Sequence, residues 1–514
     1  MTELTARQAW LAAGLSGLAP WRRWLLCAAL GALAGLGQAP LGLWPLTLLA
    51  LAGLYGVFAQ GWRPWQAAAI GLAAGTGYFL VTLSWIIEPF LVDIARHGWM
   101  APFALIFAAL GFGLFWGGAF GLARLVGRGS AAGNAVAWIA AGVLAEWLRG
   151  VLWTGFPWAQ TGHVWIGTPV MHWAAVGGAL LLCVITLWGA AALWQVIGGR
   201  RLIGAAALVP LLAAYVVGPE LTTPTVTRAD APVVRLVQPN AAQRDKWDAA
   251  KMRGFFERMV AYTGADAPPD LVVWPETSVP VLLNDADGAL ARIAQAARGA
   301  PVVLGFQRRE GTRYYNTAVL LGADGDEAAR YDKHHLVPFG EYMPFGETLA
   351  RFGIHGLAAT EGAGFSAGPG PQLMTAPGVG RMLPLICYEG IFARDVAAAP
   401  ERPDMLLMIT NDAWFGRVSG PYQHLAQARL RSVEQGLPMV RVANTGVSAV
   451  IDARGRITAR IPLNEAGWID APIPPAAAPT PYARAGGDWP MLTLALLALA
   501  VAGVAVRARA APGA

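Results

Sequence analysis

Charge is scarce in this sequence. Only 14% of its 514 residues are Asp, Glu, Lys or Arg, where ordinary soluble domains carry about 25%. Lysine is nearly missing: Lys246, Lys251 and Lys333 are the only three. The net charge of +6 is therefore carried by arginine, much of it beside apolar runs. No basic stripe interleaved with aromatics accompanies it, which excludes nucleic acid as a partner. Cysteine is scarce as well. Cys27 and Cys183 lie in apolar stretches, Cys387 is the one thiol in the polar half, and there is no CxxC pair. A disulfide framework is excluded. The seven histidines show no HExxH spacing and no GxxxxGK[ST] loop is present, so neither a metal nor a nucleotide cofactor is expected.

Apolar sequence is abundant: 55% of residues are hydrophobic and the mean hydropathy is +0.45. Residues 1–218 read as seven apolar segments, at 22–38, 42–60, 65–87, 100–126, 134–149, 169–197 and 202–218, with an eighth at 489–506. Each approaches the ~20 residues that cross a bilayer core. The reading is a polytopic α-helical membrane domain (1–218), a polar domain (219–488), and a last transmembrane helix with a short tail (489–514). Arg22 and Arg23 before the first run resemble the start of a signal peptide, but six more spans follow, so an uncleaved helix is expected. With the N-terminus inside, Arg7, Arg22, Arg23, Arg63, Arg124, Arg128, Arg200, Arg201, Arg507 and Arg509 fall at inner ends, against Arg96 and Arg149 outside. That bias places both termini in the cytoplasm and the polar domain in the periplasm of a bacterial inner membrane. Glu88 and Glu146 sit near apolar spans; Glu146 is positioned to pair with Arg149 one turn on, and both are read as structural.

The polar domain alternates strand and helix signals. Val233–Val237, Leu271–Trp274, Val302–Phe306, Thr317–Leu321, Met382–Cys387, Met405–Thr410, Met439–Val442 and Ala449–Asp452 are apolar runs of strand length, the pattern of strands buried on both faces. Residues 246–263 and 421–436 carry apolar stripes at helical spacing. Alternation of this kind implies an α/β layered domain.

Three of these strands or their neighbouring loops end in reactive groups. Glu276 follows Leu271–Trp274 and a proline, Lys333 lies in a polar loop with Glu341, and Cys387 ends an apolar strand beside Tyr388 and Glu389. Each alone has a bland explanation: a solvated loop acid, a surface lysine, a small core residue. Together they meet a chemical need. A free thiol is mostly protonated at neutral pH, a carboxylate in a dry pocket can take its proton, and an ammonium stabilises thiolate and oxyanion alike. Cys, Glu and Lys form an acyl-transfer set without histidine.

The stretches WPETSVP (274–280), YDKHHLVPFGEYMP (331–344), ICYEGIF (386–392) and TNDAWFG (410–416) resemble the signature blocks of the nitrilase superfamily. With seven spans before that region and one after, the chain is similar to one branch, the apolipoprotein N-acyltransferases. The likeness extends to Gly155-Phe156-Pro157-Trp158, Lys246-Trp247-Asp248 and Thr480-Pro481-Tyr482-Ala483-Arg484. The resemblance implies an α-β-β-α sandwich for residues 219–488. It implies Cys387 as nucleophile, Glu276 as general base and Lys333 as oxyanion stabiliser, with the Tyr388 N–H as a second oxyanion donor. It further implies Glu341 as an additional essential acid, and Glu389, Tyr388 and Trp247 as active-site positions, with Asn411 and Trp414 shaping the pocket. The implied reaction is ping-pong. An sn-1 acyl chain leaves a phospholipid, phosphatidylethanolamine as the expected donor, and becomes a Cys387 thioester. It then passes to the α-amine of diacylglyceryl-cysteine in an apolipoprotein. Phe345–Ala363, rich in glycine and phenylalanine, is expected to form a mobile flap where lipid enters. The competing readings are a membrane-anchored amidohydrolase that uses water as acceptor and a noncatalytic lipid-handling protein.

Overall fold

The computed structural model describes residue 14 and residues 17–127, 130–344 and 364–510. Phe345–Ala363, Arg7 and Arg128, on which expectations above rest, lie outside the described residues. The chain divides into two compact units. One comprises Met1–Ile87, Arg96–Thr222 and Thr480–Ala514; the other comprises Glu88–Ala95 and Thr223–Pro479.

The first unit is helical, and its helices follow the predicted apolar segments. Ile94–Val126, Ala131–Val151, Pro169–Ile197 and Arg201–Leu221 are long and apolar enough to cross a membrane. Pro64–Thr82 and Ser84–Leu91, bent by 62°, make a fifth if counted as one span. Pro20–Gly35 has 16 residues and Trp44–Phe58 has 15; the last helix, Trp489–Ala510, has 22, of which Trp489–Val504 is the apolar part. At ~1.5 Å per residue, 16 residues cover about 24 Å, less than the ~30 Å hydrocarbon core. Among the described residues, length and composition thus support four or five spans, not the eight expected. Proline opens the helices beginning at Pro20, Pro64 and Ala101, where its missing N–H costs no hydrogen bond. Packing is close: a Cβ on Gly77 would lie 1.9 Å from the Ala28 carbonyl oxygen, so only glycine lets these two backbones meet. Glu146 pairs with Arg149 at 2.5 Å, and Arg149 also donates to the carbonyls of Phe156 and Trp158. The pairing is the one the sequence suggested.

The second unit holds two six-stranded sheets. Its strands are β1 (Val233–Gln238), β2 (Leu271–Val273), β3 (Val302–Glu310), β4 (Arg313–Leu321), β5 (Glu327–Asp332), β6 (Met374–Ala376), β7 (Gly380–Ile386), β8 (Met405–Thr410), β9 (Met439–Ala443), β10 (Ser448–Ile451), β11 (Ile457–Ile461) and β12 (Gly467–Pro472). One sheet runs β12-β1-β2-β3-β4-β5 and the other β11-β10-β9-β8-β7-β6. In each, three central strands are parallel: β1-β2-β3 and β7-β8-β9.

Strand periodicity explains the layers. Leu271 and Val273 of β2, with Met405, Leu407 and Ile409 of β8, belong to one core shared by the two sheets. The intervening Val272 packs outward with Phe256, Met259 and Ile293 of the helices Met252–Thr263 and Asp287–Ala297. Leu406 and Met408 likewise pack on Leu425 and Ala428 of the helix Gly420–Gln435. Both faces of each central strand are buried, so these strands read as unbroken apolar runs. The order of layers is helix, sheet, sheet, helix. Residues 246–251, expected to begin a helix, form turns instead, and the helix starts at Met252.

Candidate active site

The reactive residues sit where strands end. Glu276 follows β2, Lys333 follows β5, Cys387 follows β7 and Asn411 follows β8. β2, β7 and β8 are pinned by cores on both faces, and β5 is pinned by its pairing with β4, so the four loops inherit fixed positions. Gly305 of β3 admits the Glu276 loop: a Cβ there would fall 2.5 Å from the Pro275 carbonyl oxygen and 2.6 Å from the Glu276 Cα.

Two carboxylates surround one ammonium. Lys333 is 1% exposed. Its Nζ donates to Glu341 Oε1 at 2.8 Å and lies 3.8 Å from Glu276 Oε1. Burial alone pulls the lysine pKa down, but Glu341, Glu276 and the Cys387 thiolate together outweigh it, so the amine stays charged well above its ordinary range. Asn316 on β4 joins the pair: its Nδ2 donates to Glu276 Oε1 at 2.6 Å and to Glu341 Oε1 at 3.1 Å. Glu276 Oε2 accepts the Asn411 N–H at 2.8 Å, and Glu341 Oε2 accepts the Val337 N–H at 2.8 Å.

Cys387 has a left-handed backbone, with φ of +51°, and begins the 3₁₀ turn Cys387–Ile391. A non-glycine residue held there costs about 1–3 kcal/mol, so its surroundings must compensate. Burial is the main force on its thiol and pushes the pKa up; the negative charge of Glu276 adds to this, while Lys333 and a hydrogen bond with Thr410 pull it down. Loss of the thiol proton is thus opposed by burial and calls for a base beside it.

Glu389 couples the lysine loop to the cysteine turn. It is fully buried. Oε1 accepts from the Tyr331 hydroxyl at 2.7 Å and from the His334 and His335 N–H groups at 2.8 and 3.2 Å. Oε2 accepts the Ile386 N–H at 2.7 Å. Burial opposes its ionisation, yet these donors and the His334 ring, whose Nδ1 lies 2.7 Å away, hold its pKa below the usual carboxylate range. Tyr388 is buried and packs edge-on against His335 and Phe392.

The outlying positions are less enclosed. The Asn411 side chain donates to Gln243 and accepts from Asn444. Trp247 is 45% exposed, with its ring 5.3 Å from Lys246 Nζ. Trp414 is half-buried in the turn Asp412–Trp414. The structure thus gathers Glu276, Lys333, Glu341 and Asn411 into one hydrogen-bonded or ion-paired set, of which Glu276 and Lys333 act electrostatically on Cys387; Tyr388 and Glu389 belong to the turn that Cys387 begins, and Trp247 and Trp414 lie at the margin.

Sequence reasoning did not single out two members. Asn316 sits inside an apolar strand and carried no signal. Lys246 did carry one, as one of only three lysines. Its Nζ donates to the Glu276 carbonyl at 3.2 Å, and burial pulls its pKa down to about 8 against the opposing pull of Glu276 and Cys387. Its charged form favours the thiolate, and that form is lost as pH rises through about 8. The reactivity of the Cys387 thiol toward an acylating reagent is expected to fall across this range, and the fall is expected to be absent in Lys246→Met. Identical pH profiles for the two proteins would refute this. Among the described residues, no group of three or more His, Cys, Asp or Glu is placed to hold a metal ion.

Two family models match the chain: carbon-nitrogen hydrolase over residues 233–482 and the apolipoprotein N-acyltransferase N-terminal domain over residues 30–192. Curated relatives carry the name apolipoprotein N-acyltransferase. One from Caulobacter vibrioides is 38% identical over 501 residues, covering 93% of this chain and 94% of its own. One from Rhizobium leguminosarum is 37% identical over 496 residues, covering 88% and 90%. One from Sinorhizobium medicae is 39% identical over 430 residues, covering 80% of each. Among solved structures, a CN-hydrolase superfamily protein from Xanthomonas campestris aligns over 48% of this chain and 91% of its own, at 23% identity and a TM-score of 0.35.

Proposed function

The chain belongs to the apolipoprotein N-acyltransferase family, and from that membership we propose that it N-acylates lipoproteins through a thioester on Cys387. The observation that carries the proposal is the buried cluster in which Lys333 touches Glu341 and faces Glu276 at 3.8 Å, while both Lys333 and Glu276 act electrostatically on the Cys387 thiol.

In the first step the Cys387 sulfur attacks the sn-1 ester carbonyl of a phospholipid, and Glu276 takes the thiol proton. The oxyanion is met by the Lys333 ammonium and the Tyr388 N–H. Collapse breaks the ester C–O bond, the proton passes from Glu276 to the leaving oxygen, and lysophospholipid departs. In the second step the neutral α-amine of a diacylglyceryl-cysteine attacks the thioester carbonyl, and Glu276 receives the amine proton. The C–S bond breaks, the proton returns to sulfur, and the amide leaves. Thioesters react with amines more readily than oxygen esters do, and the amide is the most stable of the three acyl forms, so no nucleotide is needed. Glu341 holds Lys333 in place, and Glu389 holds the lysine loop on the cysteine turn.

The donor is phosphatidylethanolamine in this reading, and the polar domain faces the periplasm with both termini inside, which rests on the arginine bias. Both substrates keep their chains in the bilayer. Burying a chain is worth ~0.8 kcal/mol per CH₂, so a membrane-bound enzyme spares them extraction into water. The domain division at 218/219 and 488/489 is part of the same proposal.

Acceptor choice tests it. Vesicles of phosphatidylethanolamine and a synthetic diacylated lipopeptide, incubated with the purified enzyme, are expected to yield triacylated peptide and lysophospholipid in equal amounts. Free fatty acid without amide product would favour the water-using amidohydrolase instead.

A further inference from the structure

Behind the cysteine turn lies a buried charge cluster that the reaction above does not use. Asp412, the third residue of the TNDAWFG block, His424 of the helix Gly420–Gln435 and Arg441 of β9 are 0% exposed. Asp412 Oδ1 accepts from the Thr410 hydroxyl at 2.9 Å and faces His424 Nδ1 at 2.9 Å. Asp412 Oδ2 accepts from Arg441 Nη2 at 2.7 Å. The other nitrogen of the histidine, Nε2, lies 3.2 Å from the carbonyl oxygen of Cys387.

Donor and acceptor accounting fixes the direction of that last bond. A carbonyl only accepts, so Nε2 carries a proton and donates. Asp412 is held ionised by Arg441 and His424 against the cost of burial, and His424 Nδ1 lies 2.9 Å from Asp412 Oδ1 and 3.2 Å from Arg441 Nη2. The imidazole ring is thus held between this pair and the nucleophile's own carbonyl. Nearby backbone is shaped to keep the lock tight: a Cβ on Gly446 would lie 2.2 Å from Asp412 Oδ2.

The Cys387 carbonyl belongs to the same peptide unit as the Tyr388 N–H. In a trans peptide these two groups are coplanar and point opposite ways. Whatever holds the carbonyl therefore aims the N–H. We propose that His424 is a positioning residue for the acyl-transfer site: by gripping the Cys387 carbonyl it fixes the left-handed turn at the nucleophile and aims the Tyr388 N–H at the oxyanion. Asp412 and Arg441 orient His424 in turn. A hydrogen bond to the carbonyl also polarises the peptide, which strengthens its N–H as a donor. The inference rests on the reading of Cys387 as nucleophile.

Two substitutions separate this role from a purely structural one, because each keeps a different half of the histidine. The amide nitrogen of His424→Gln reaches the position of Nε2 and can still donate to the Cys387 carbonyl. His424→Asn places its amide near the position of Nδ1, keeps partners in Asp412 and Arg441, and cannot reach the carbonyl. The measurement is the rate at which Cys387 acquires an acyl group from phosphatidylethanolamine vesicles, followed by intact mass, beside the thermal midpoint of each protein. The glutamine protein is expected to acylate within about 10-fold of the parent. The asparagine protein is expected to be slower by about 100-fold, the scale for misplacing a reacting group by an ångström, although it is no less stable than the glutamine protein. Acylation by the asparagine protein as fast as by the glutamine protein would overturn the proposal. If the asparagine protein does not accumulate, His424→Leu, which fills the space without a donor, takes its place under the same criterion. A parent enzyme that acquires no acyl group would instead overturn the thioester reading itself.

Discussion

Cys387→Ser is expected to lower turnover by at least about 1000-fold and to leave no covalent acyl-enzyme. The site already works against ionisation of the thiol, since burial and the Glu276 charge raise its pKa more than Lys333 and Thr410 lower it. A serine hydroxyl is far less acidic than a thiol, and a lone carboxylate base cannot make up the difference. Serine is also nearly the same size. Cys387 lines the core between the two sheets, so the substitution exchanges sulfur for a buried hydroxyl at a cost of about 1–3 kcal/mol without opening a cavity. Loss of activity should therefore come with a small change in thermal midpoint. Turnover measured with a labelled phospholipid, beside the melting curve, separates the two effects. A serine protein with parental turnover would remove Cys387 from its assigned role.

Lys333→Arg is expected to be nearly as damaging, for a geometric reason. The ammonium is a compact charge held between Glu341 at 2.8 Å and Glu276 at 3.8 Å, with 1% of its side chain exposed. A planar guanidinium is larger and seeks bidentate partners. It would pair with one carboxylate and displace the other, and with it the general base. We expect at least about a 100-fold loss of acylation rate, the scale for removing one oxyanion contact. Lys333→Met should also destabilise the fold. It leaves the Glu276 and Glu341 carboxylates without their shared cation, and breaking one side of a buried ion pair costs about 3–5 kcal/mol. Single-turnover acylation for the arginine protein and denaturation for the methionine protein check these outcomes. An arginine enzyme acylating at the parental rate would show that a compact charge at this position is not needed.

The interior of the sandwich was legible in the sequence, and its borders were not. Every strand expected from an apolar run occupies the middle of a sheet. The four that gave no signal, β5, β6, β11 and β12, are the four sheet edges. An edge strand such as Ile457–Ile461 alternates half-buried and exposed positions before its buried last residue, and Glu327–Asp332 begins with exposed residues, so neither makes a continuous apolar stretch. The eight-span count in the membrane region is supported only in part, for a related reason. Hydropathy located the apolar helices, but it did not show that several stop at 15 or 16 residues.

The site shows the same division. Glu276, Lys333 and Cys387 stood out because each carries chemistry at a strand end, within stretches that resemble known signature blocks. Asn316 and His424 did not, because their importance lies in what they touch. Asn316 is one polar residue inside the apolar strand β4, and its two carboxylate partners lie 40 and 25 positions away. His424 is one residue of an amphipathic helix, 37 positions from the carbonyl it holds. No spacing rule connects residues at such separations; the sheet order does.

The central claim is that a fatty acyl group rests covalently on one sulfur between donor and acceptor. Intact-mass measurement of the purified enzyme after exposure to phosphatidylethanolamine vesicles, with no lipopeptide present, tests it most directly. The expected result is a mass gain of one acyl group, mapped to Cys387, removed by hydroxylamine and cleared when a diacylated lipopeptide is added. An enzyme that turns over substrate while Cys387 stays unmodified at every time point would contradict it.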